Sequence, residues 1–215
     1  MKTRIVLLGP PASGKGTQAE KIQARYGIPS VSPGAMLRDE MRRETPLGIE
    51  ADRLTRDGRM APDALVLQLV GNWLHAHAER FVFDGFPRTR AQADALGELL
   101  SGRELALDAV LYFDLSLQTI FERVMNRLTC SVCGRTFSVA QMQGSAARCP
   151  ACGGPLVRRS DDTPEALEHR IAAYREHTEP LIEYYRQRGI LWTLEAAESP
   201  ESVFAQIASV LGMTE

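Results

Sequence analysis

The segment Ile5-Val6-Leu7-Leu8-Gly9-Pro10-Pro11-Ala12-Ser13-Gly14-Lys15-Gly16-Thr17 constrains this chain more than any other. A short apolar run, a loop of small residues, a lysine and an amphipathic pattern (18–26) follow in the order strand, G-x-x-x-x-G-K, helix. In such a loop the backbone N–H groups converge at the positive end of a helix dipole, so the expected guest is a di- or triphosphate. Lys15 is the expected point charge on its terminal phosphates. The general pattern puts Ser or Thr directly after the lysine; here Gly16 intervenes before Thr17.

The remaining apolar runs say what surrounds this loop. Arg4–Leu8, Ile28–Val31, Arg80–Phe83, Ala109–Phe113 and Ile190–Leu194 read as strands. Helical periodicity fills 63–78, 90–100, 116–127, 164–188 and 200–211. Alternation of this kind predicts an α/β fold, a five-stranded parallel sheet with helices on both faces. Two segments leave the alternation: 32–61, helical and charged, and 126–162, rich in Gly, Cys, Ser and Arg.

With 25 Lys and Arg against 27 Asp and Glu, no global field draws this chain to nucleic acid, and an anion site must be built from local arginines. The apolar run before Gly9 is too short for a signal-peptide core, and none reaches membrane-span length. A cytoplasmic protein is expected.

Three further constellations carry chemistry. In Phe81-Val82-Phe83-Asp84-Gly85-Phe86-Pro87-Arg88-Thr89, a carboxylate closes an apolar strand and an arginine follows a stiffened turn. Asp84 fits a magnesium ion or its bound water, or a cap on the next turn; Arg88 fits a bidentate phosphate clamp. Cys130-x-x-Cys133 and Cys149-x-x-Cys152, separated by fifteen residues, have the spacing of a tetrahedral Cys₄ zinc site with no open position. Disulfides and a nucleic-acid-binding zinc ribbon are the alternatives, the latter lacking a basic and aromatic stripe. Arg38, Arg88, Arg123, Arg127, Arg159 and Arg170 form the third set. The spacing of Arg123 and Arg127 predicts one shared helix face.

The loop Gly-Pro-Pro-x-x-Gly-Lys-Gly-Thr (9–17) together with Asp-Gly-Phe-Pro-Arg-Thr (84–89) resembles the nucleoside monophosphate kinases, most closely the adenylate kinases with a long bacterial lid. The resemblance covers essentially the whole chain and makes Gly16 a family feature. It implies a P-loop NTPase core (1–31, 62–125, 163–215), a helical monophosphate-binding insertion (32–61) and a zinc-ribbon-like lid (126–162). It implies transfer from ATP to AMP giving two ADP, with magnesium and a structural zinc in the lid, by a monomer without nucleic-acid or membrane partners.

By that resemblance Lys15, Arg88, Arg127, Arg159 and Arg170 surround the transferred phosphoryl. Gly9, Ala12, Ser13, Gly14, Gly16, Thr17, Arg123, Thr136, Phe137 and Ser199 join Lys15 and Arg127 around ATP. Pro33, Arg38, Arg59, Met60, Ala61, Gly85, Phe86, Pro87 and Gln92 join Arg88, Arg159 and Arg170 around AMP. Asp161 and Asp162 orient the lid arginines. The chain departs from the family where Ser32-Pro33-Gly34-Ala35 replaces Ser-Thr-Gly-Asp, where Ala12 replaces a loop glycine, and at Ser199, where some members carry lysine. Kinases for UMP or GMP, and a non-catalytic nucleotide-binding protein, are the alternative functions.

Overall fold

The apolar run Arg4–Leu8 becomes β1, the middle strand of a five-stranded parallel sheet. A computed structural model describes residues 1–55, 60–142, 148–159 and 161–213. After β1 come α1 (Lys15–Tyr26), β2 (Ser30–Val31), α2 (Pro33–Arg42), α3 (Pro46–Thr55), α4 (Asp63–His77), β3 (Phe81–Asp84) and α5 (Arg90–Ser101). Then follow β4 (Ala109–Asp114), α6 (Leu117–Met125), β5 (Arg127–Cys130), β6 (Thr136–Ser138) and β7 (Leu156–Val157). The chain closes with α7 (Pro164–Ala173), a π-helical turn (Tyr174–Thr178), α8 (Pro180–Arg186), β8 (Leu191–Glu195) and α9 (Pro200–Leu211).

The large sheet has the order β2-β3-β1-β4-β8. Successive β1 residues point to opposite faces, and each face has its own core. Ile5 and Leu7 pack with Ile22 of α1 and Val203, Ile207 and Leu211 of α9. Val6 and Leu8 pack with Val70 and Leu74 of α4, Leu96 of α5, and Leu181 and Tyr185 of α8. Because β1 is flanked by β3 and β4, the order reverses around it, and the loops leaving β1 and β3 open at one sheet end. Leu7 is paired with Asp84, which sets the phosphate loop beside the Asp84–Thr89 segment.

The second sheet is antiparallel, in the order β6-β5-β7, and lies within 126–162. Helices α2 and α3 occupy 33–55. Four helices start on a side-chain cap: Thr89, Ser116, Thr163 and Ser199 each accept from a backbone N–H in the first turn, each cap contributing about 1 kcal/mol. Helix α2 begins differently. Ser32 makes no side-chain cap, and Pro33 at the first turn presets the backbone instead, so the start survives without the acid absent at Ala35.

Three expectations need correction. The pattern read as 116–127 ends at Met125, with Asn126 as its C-cap. Arg127 therefore opens β5, opposite Ser138, and shares no helix face with Arg123. The long helix 164–188 is interrupted: Glu179 N–H bonds back five residues to the Tyr174 carbonyl. An α-helical course there would drive the Pro180 ring toward the residue 176 carbonyl, and the wider turn avoids it. The second strand is confined to Ser30–Val31, since Pro29 has no N–H to give the ladder.

Helices α2 and α3 pack so closely at Gly48 that a Cβ there would lie 2.6 Å from the Met41 nitrogen and nearer still to the Glu40 carbonyl. Gly48→Ala is expected to destabilise this helix pair by about 2 kcal/mol or more. Hydrogen exchange should show lost protection across 33–55 while the sheet core keeps its own.

Candidate active site

The turn after β1 is shaped by unusual backbone. Gly14 (φ 96) ends the loop in a left-handed conformation. Ala12 is also left-handed (φ 56), which costs a residue with a Cβ about 1 kcal/mol. Lys15, first residue of α1, folds back so that Nζ donates to the Gly9 carbonyl (2.9 Å), the Pro10 carbonyl (2.7 Å) and Ser13 Oγ (3.0 Å). Burial pushes its ammonium down to about 8, the nearby arginines lowering it further and Asp84 opposing. A Cβ at Gly16 would sit 3.3 Å from Asp84 Oδ2, a tight contact that the carboxylate would have to yield to. Thr17 is exposed on the cavity wall one residue further on.

Two cavities flank this loop. The larger, about 870 Å³, is lined by Ala12 to Thr17, Asp84, Arg123, Arg127, Thr136, Phe137 and Arg159. The smaller, about 690 Å³, is lined by Gly9, Pro33, Leu37, Met60, Ala61, Val66, Gly85, Pro87 and Gln92. Lys15, Arg38, Arg88 and Arg170 line both. The two spaces thus meet at a wall of four cations.

The cations in that wall, with Arg127 and Arg159 beside it, are unevenly compensated. Burial and neighbouring positive charges hold the Arg88 and Arg159 guanidiniums below their ordinary range, Arg159 at about 10. For Arg38 burial is the main cause, with Asp161 opposing it. Arg127 and Arg170 are the compensated members. Asp162 accepts from Arg127 Nε at 2.9 Å and from its Nη2, and Arg170 Nη1 lies 3.4 Å from the same carboxylate. Among the described residues no cation lies within ion-pair distance of Asp84, which lines the larger cavity beside the loop. A carboxylate with its oxygens free fits a magnesium ion or a magnesium-bound water.

Comparison with known proteins decides the family. The sequence model described as adenylate kinase matches residues 7–190. An adenylate kinase of Moorella thermoacetica is 42% identical over 212 residues, covering 97% of this chain and 98% of the relative. Adenylate kinases of Clostridium tetani and Thermodesulfovibrio yellowstonii are each 39% identical over 211 residues, again with 97% and 98% coverage.

The chain belongs to the adenylate kinase family.

This adenylate kinase chain carries a built metal site in its second sheet. The four cysteine Sγ atoms lie within 4.8 Å of one another, with Cys130–Cys152 at 3.5 Å and Cys133–Cys149 at 3.6 Å. Tetrahedral zinc with bonds of about 2.3 Å needs sulfur separations of about 3.8 Å. All four thiols are free rather than paired as disulfides. The two knuckles are built alike: Gly134 N–H donates to the Cys130 carbonyl and Gly153 N–H to the Cys149 carbonyl. Val132 and Cys133 N–H groups also point at Cys130 Sγ, an arrangement that favours the thiolate a metal requires. The residues fit a structural zinc. The knuckle also touches the rest of the molecule: Arg42 of α2 donates to the Ser131 carbonyl at 3.1 Å, and Arg135 lies 3.9 Å from Glu20 of α1.

Some residues expected around the nucleotides stand elsewhere. Ser199 does not line the larger cavity; its hydroxyl caps α9, and Glu198 and Pro200 form the wall there. Phe86 is 1% exposed and packs edge-on against Phe83 in the core, so only its neighbours Gly85 and Pro87 reach the smaller cavity. Arg59 lies outside the described residues. Arg123 braces the β8–α9 connection through the Ala196 carbonyl (2.9 Å) while lining the cavity. Sequence reading missed Thr178, whose hydroxyl donates to the Arg88 carbonyl at 2.9 Å, and Asp63, which binds both Thr89 and Gln92. No local motif marks either, because both act across the fold.

Two measurements test this geometry. Lys15 is depressed in the folded chain, so between about 8 and 10.5 the unfolded chain binds more protons than the native one. Stability of the unligated protein therefore rises with pH through that window, and denaturant titrations should show this rise disappear in Lys15→Met. For the metal, a strong chelator should remove about one zinc per chain and unfold 127–159, seen as lost amide protection, with the parallel-sheet core still folded.

Proposed function

We propose that this protein transfers the terminal phosphoryl group of ATP to AMP and releases two ADP, with ATP in the larger cavity and AMP in the smaller. The observation carrying this reading is the common wall of Lys15, Arg38, Arg88 and Arg170. A binder of one nucleotide needs one cavity and few cations; a transferase needs two phosphate groups brought end to end across positive charge.

The roles follow from chemistry. An acceptor phosphate is already largely ionised at neutral pH, its second pKa being about 6, so no general base is required. Lys15 leaves the carbonyls of its own loop for the phosphates of ATP. Arg88, Arg127, Arg159 and Arg170 gather the negative charge on the transferring group, and Arg38 with Arg88 holds the AMP phosphate. Magnesium, when bound with ATP through Asp84 or a water on it, neutralises charge on the outer phosphate oxygens. Gly9, Ser13, Gly14, Gly16 and Thr17 cradle the phosphates, while Arg123, Thr136 and Phe137 flank the rest of ATP. Pro33, Met60, Ala61, Gly85, Pro87 and Gln92 surround AMP. The zinc-bearing segment 126–162 acts as a lid over ATP and excludes water, which would otherwise accept the phosphoryl group. The helical segment 32–61 acts as the AMP-binding insertion.

Both cavities are walled by one chain, so the reading requires a single copy. It puts the enzyme in the cytoplasm, in keeping with four uncrosslinked thiols. Among the described residues no helix is long and apolar enough to cross a membrane.

Purified protein given ATP, magnesium and AMP, UMP or GMP in turn should form diphosphate fastest with AMP. Faster turnover of another acceptor would overturn the base assignment, and no turnover would overturn the transferase reading. Arg88→Ala should lower kcat/KM by about 10²–10³-fold with little change in thermal midpoint.

A further inference from the structure

The Gln92 side chain is 1% exposed and its amide is held at both ends. Nε2 donates to Asp63 Oδ1 at 2.7 Å, and Oε1 accepts the Arg88 backbone N–H at 2.8 Å. The second Asp63 oxygen accepts the Thr89 hydroxyl at 2.7 Å, and that hydroxyl also caps the Gln92 N–H at 3.1 Å. Asp63 itself is on the first turn of α4 and does not line the cavity.

These partners leave the amide one orientation. A carboxylate offers only acceptors, and a backbone N–H offers only a donor. Turning the amide over would set its NH₂ against the Arg88 N–H and its carbonyl against the Asp63 carboxylate, losing two hydrogen bonds and creating two repulsive contacts. The Arg88 N–H is the weaker determinant, a neutral donor making one bond. Asp63 supplies the charged, short contact.

We propose that Asp63 is the positioning residue that makes this site select a 6-amino purine over a 6-oxo purine, by fixing which end of the Gln92 amide is nitrogen. This rests on the reading that the AMP base lies against Gln92. With one N–H and one oxygen spoken for, the amide keeps one N–H and one carbonyl lone pair for a ligand. Adenine presents an acceptor at N1 beside a donor at N6. Hypoxanthine and guanine present a donor at N1 beside an acceptor at O6. In one base pose, one amide orientation satisfies the first pair and repels the second, and the reverse orientation does the opposite.

The test is the ratio of kcat/KM for AMP to that for IMP, which differs from AMP at these two positions. Asp63→Asn keeps size but can donate or accept, so the amide loses the acceptor-only partner that fixes its nitrogen end and keeps only the Arg88 N–H against turning. The ratio should fall about tenfold or more, mainly through a higher KM for AMP, with the KM for ATP unchanged. Thr89→Ala removes the helix cap while keeping the Asp63–Gln92 bond; it should lower thermal stability and leave the ratio intact. A ratio unchanged in Asp63→Asn, or lowered equally in Thr89→Ala, overturns the proposal. Gln92→Ala separates the two layers: if it leaves the ratio unchanged, the base does not rest on Gln92 and both readings fail. If only Gln92→Ala lowers the ratio, the base placement stands and the role of Asp63 does not. Should Asp63→Asn not fold, Asp63→Ser gives the same readout.

Discussion

The carboxylate of Asp162 holds this molecule's site in shape. It is almost fully buried and takes guanidinium groups from two directions, Arg127 at the start of β5 and Arg170 in α7. A lone carboxylate in that position, or two guanidiniums side by side without it, would be strongly unfavourable. Together they fasten the small antiparallel sheet to the helix that follows it, and they fix two of the cations around the cavities. Among the described residues, Lys15, Arg38, Arg88 and Arg159 have no such close carboxylate partner, and burial depresses all four. The unligated protein is therefore a balanced anchor surrounded by positive charge that is only partly compensated. On the proposed function a polyphosphate supplies what is missing, which links nucleotide binding to the relief of internal repulsion.

The zinc knuckle belongs to the same arrangement. It is too small to build a core of its own: among the described residues its buried cluster is Cys130, Met142, Cys149 and Leu156. Four thiolates on one metal substitute for that core, and the knuckle then offers rigid contact points. One is the Ser131 carbonyl that Arg42 reaches from α2. The metal thereby shapes a surface that meets both the phosphate-loop helix and the helix pair beside the smaller cavity.

Most of the fold is legible in the sequence because buried parallel strands read as unbroken apolar runs. Ile5 to Leu8, Phe81 to Phe83 and Ala109 to Phe113 each carry that signature and each became a strand. The cysteine spacing was equally direct, since two short knuckles need few residues and no distant partner. What the pattern hid was geometry set from outside the segment. Arg127 has helical spacing from Arg123, but its backbone is claimed by pairing with Ser138. Ser199 and Phe86 are near the site in sequence, yet a helix cap and a core contact hold their side chains away. Thr178 and Asp63 act on residues 90 and 29 positions away, which no local periodicity records.

The π-helical turn at Tyr174–Thr178 stores information as chain length. A π turn accommodates one residue more than an α-helix would over the same rise, and the helices on either side keep their facing. Leu167 before it and Leu181 and Tyr185 after it remain on their buried sides, so the surplus residue is invisible to packing. Thr178, the last residue of the turn, donates its hydroxyl to the carbonyl of Arg88. A relative one residue shorter here can keep the same hydrophobic register and stack on the same cores. It would differ in how firmly the backbone at the position of Arg88 is held, a difference written in a gap rather than in any substitution.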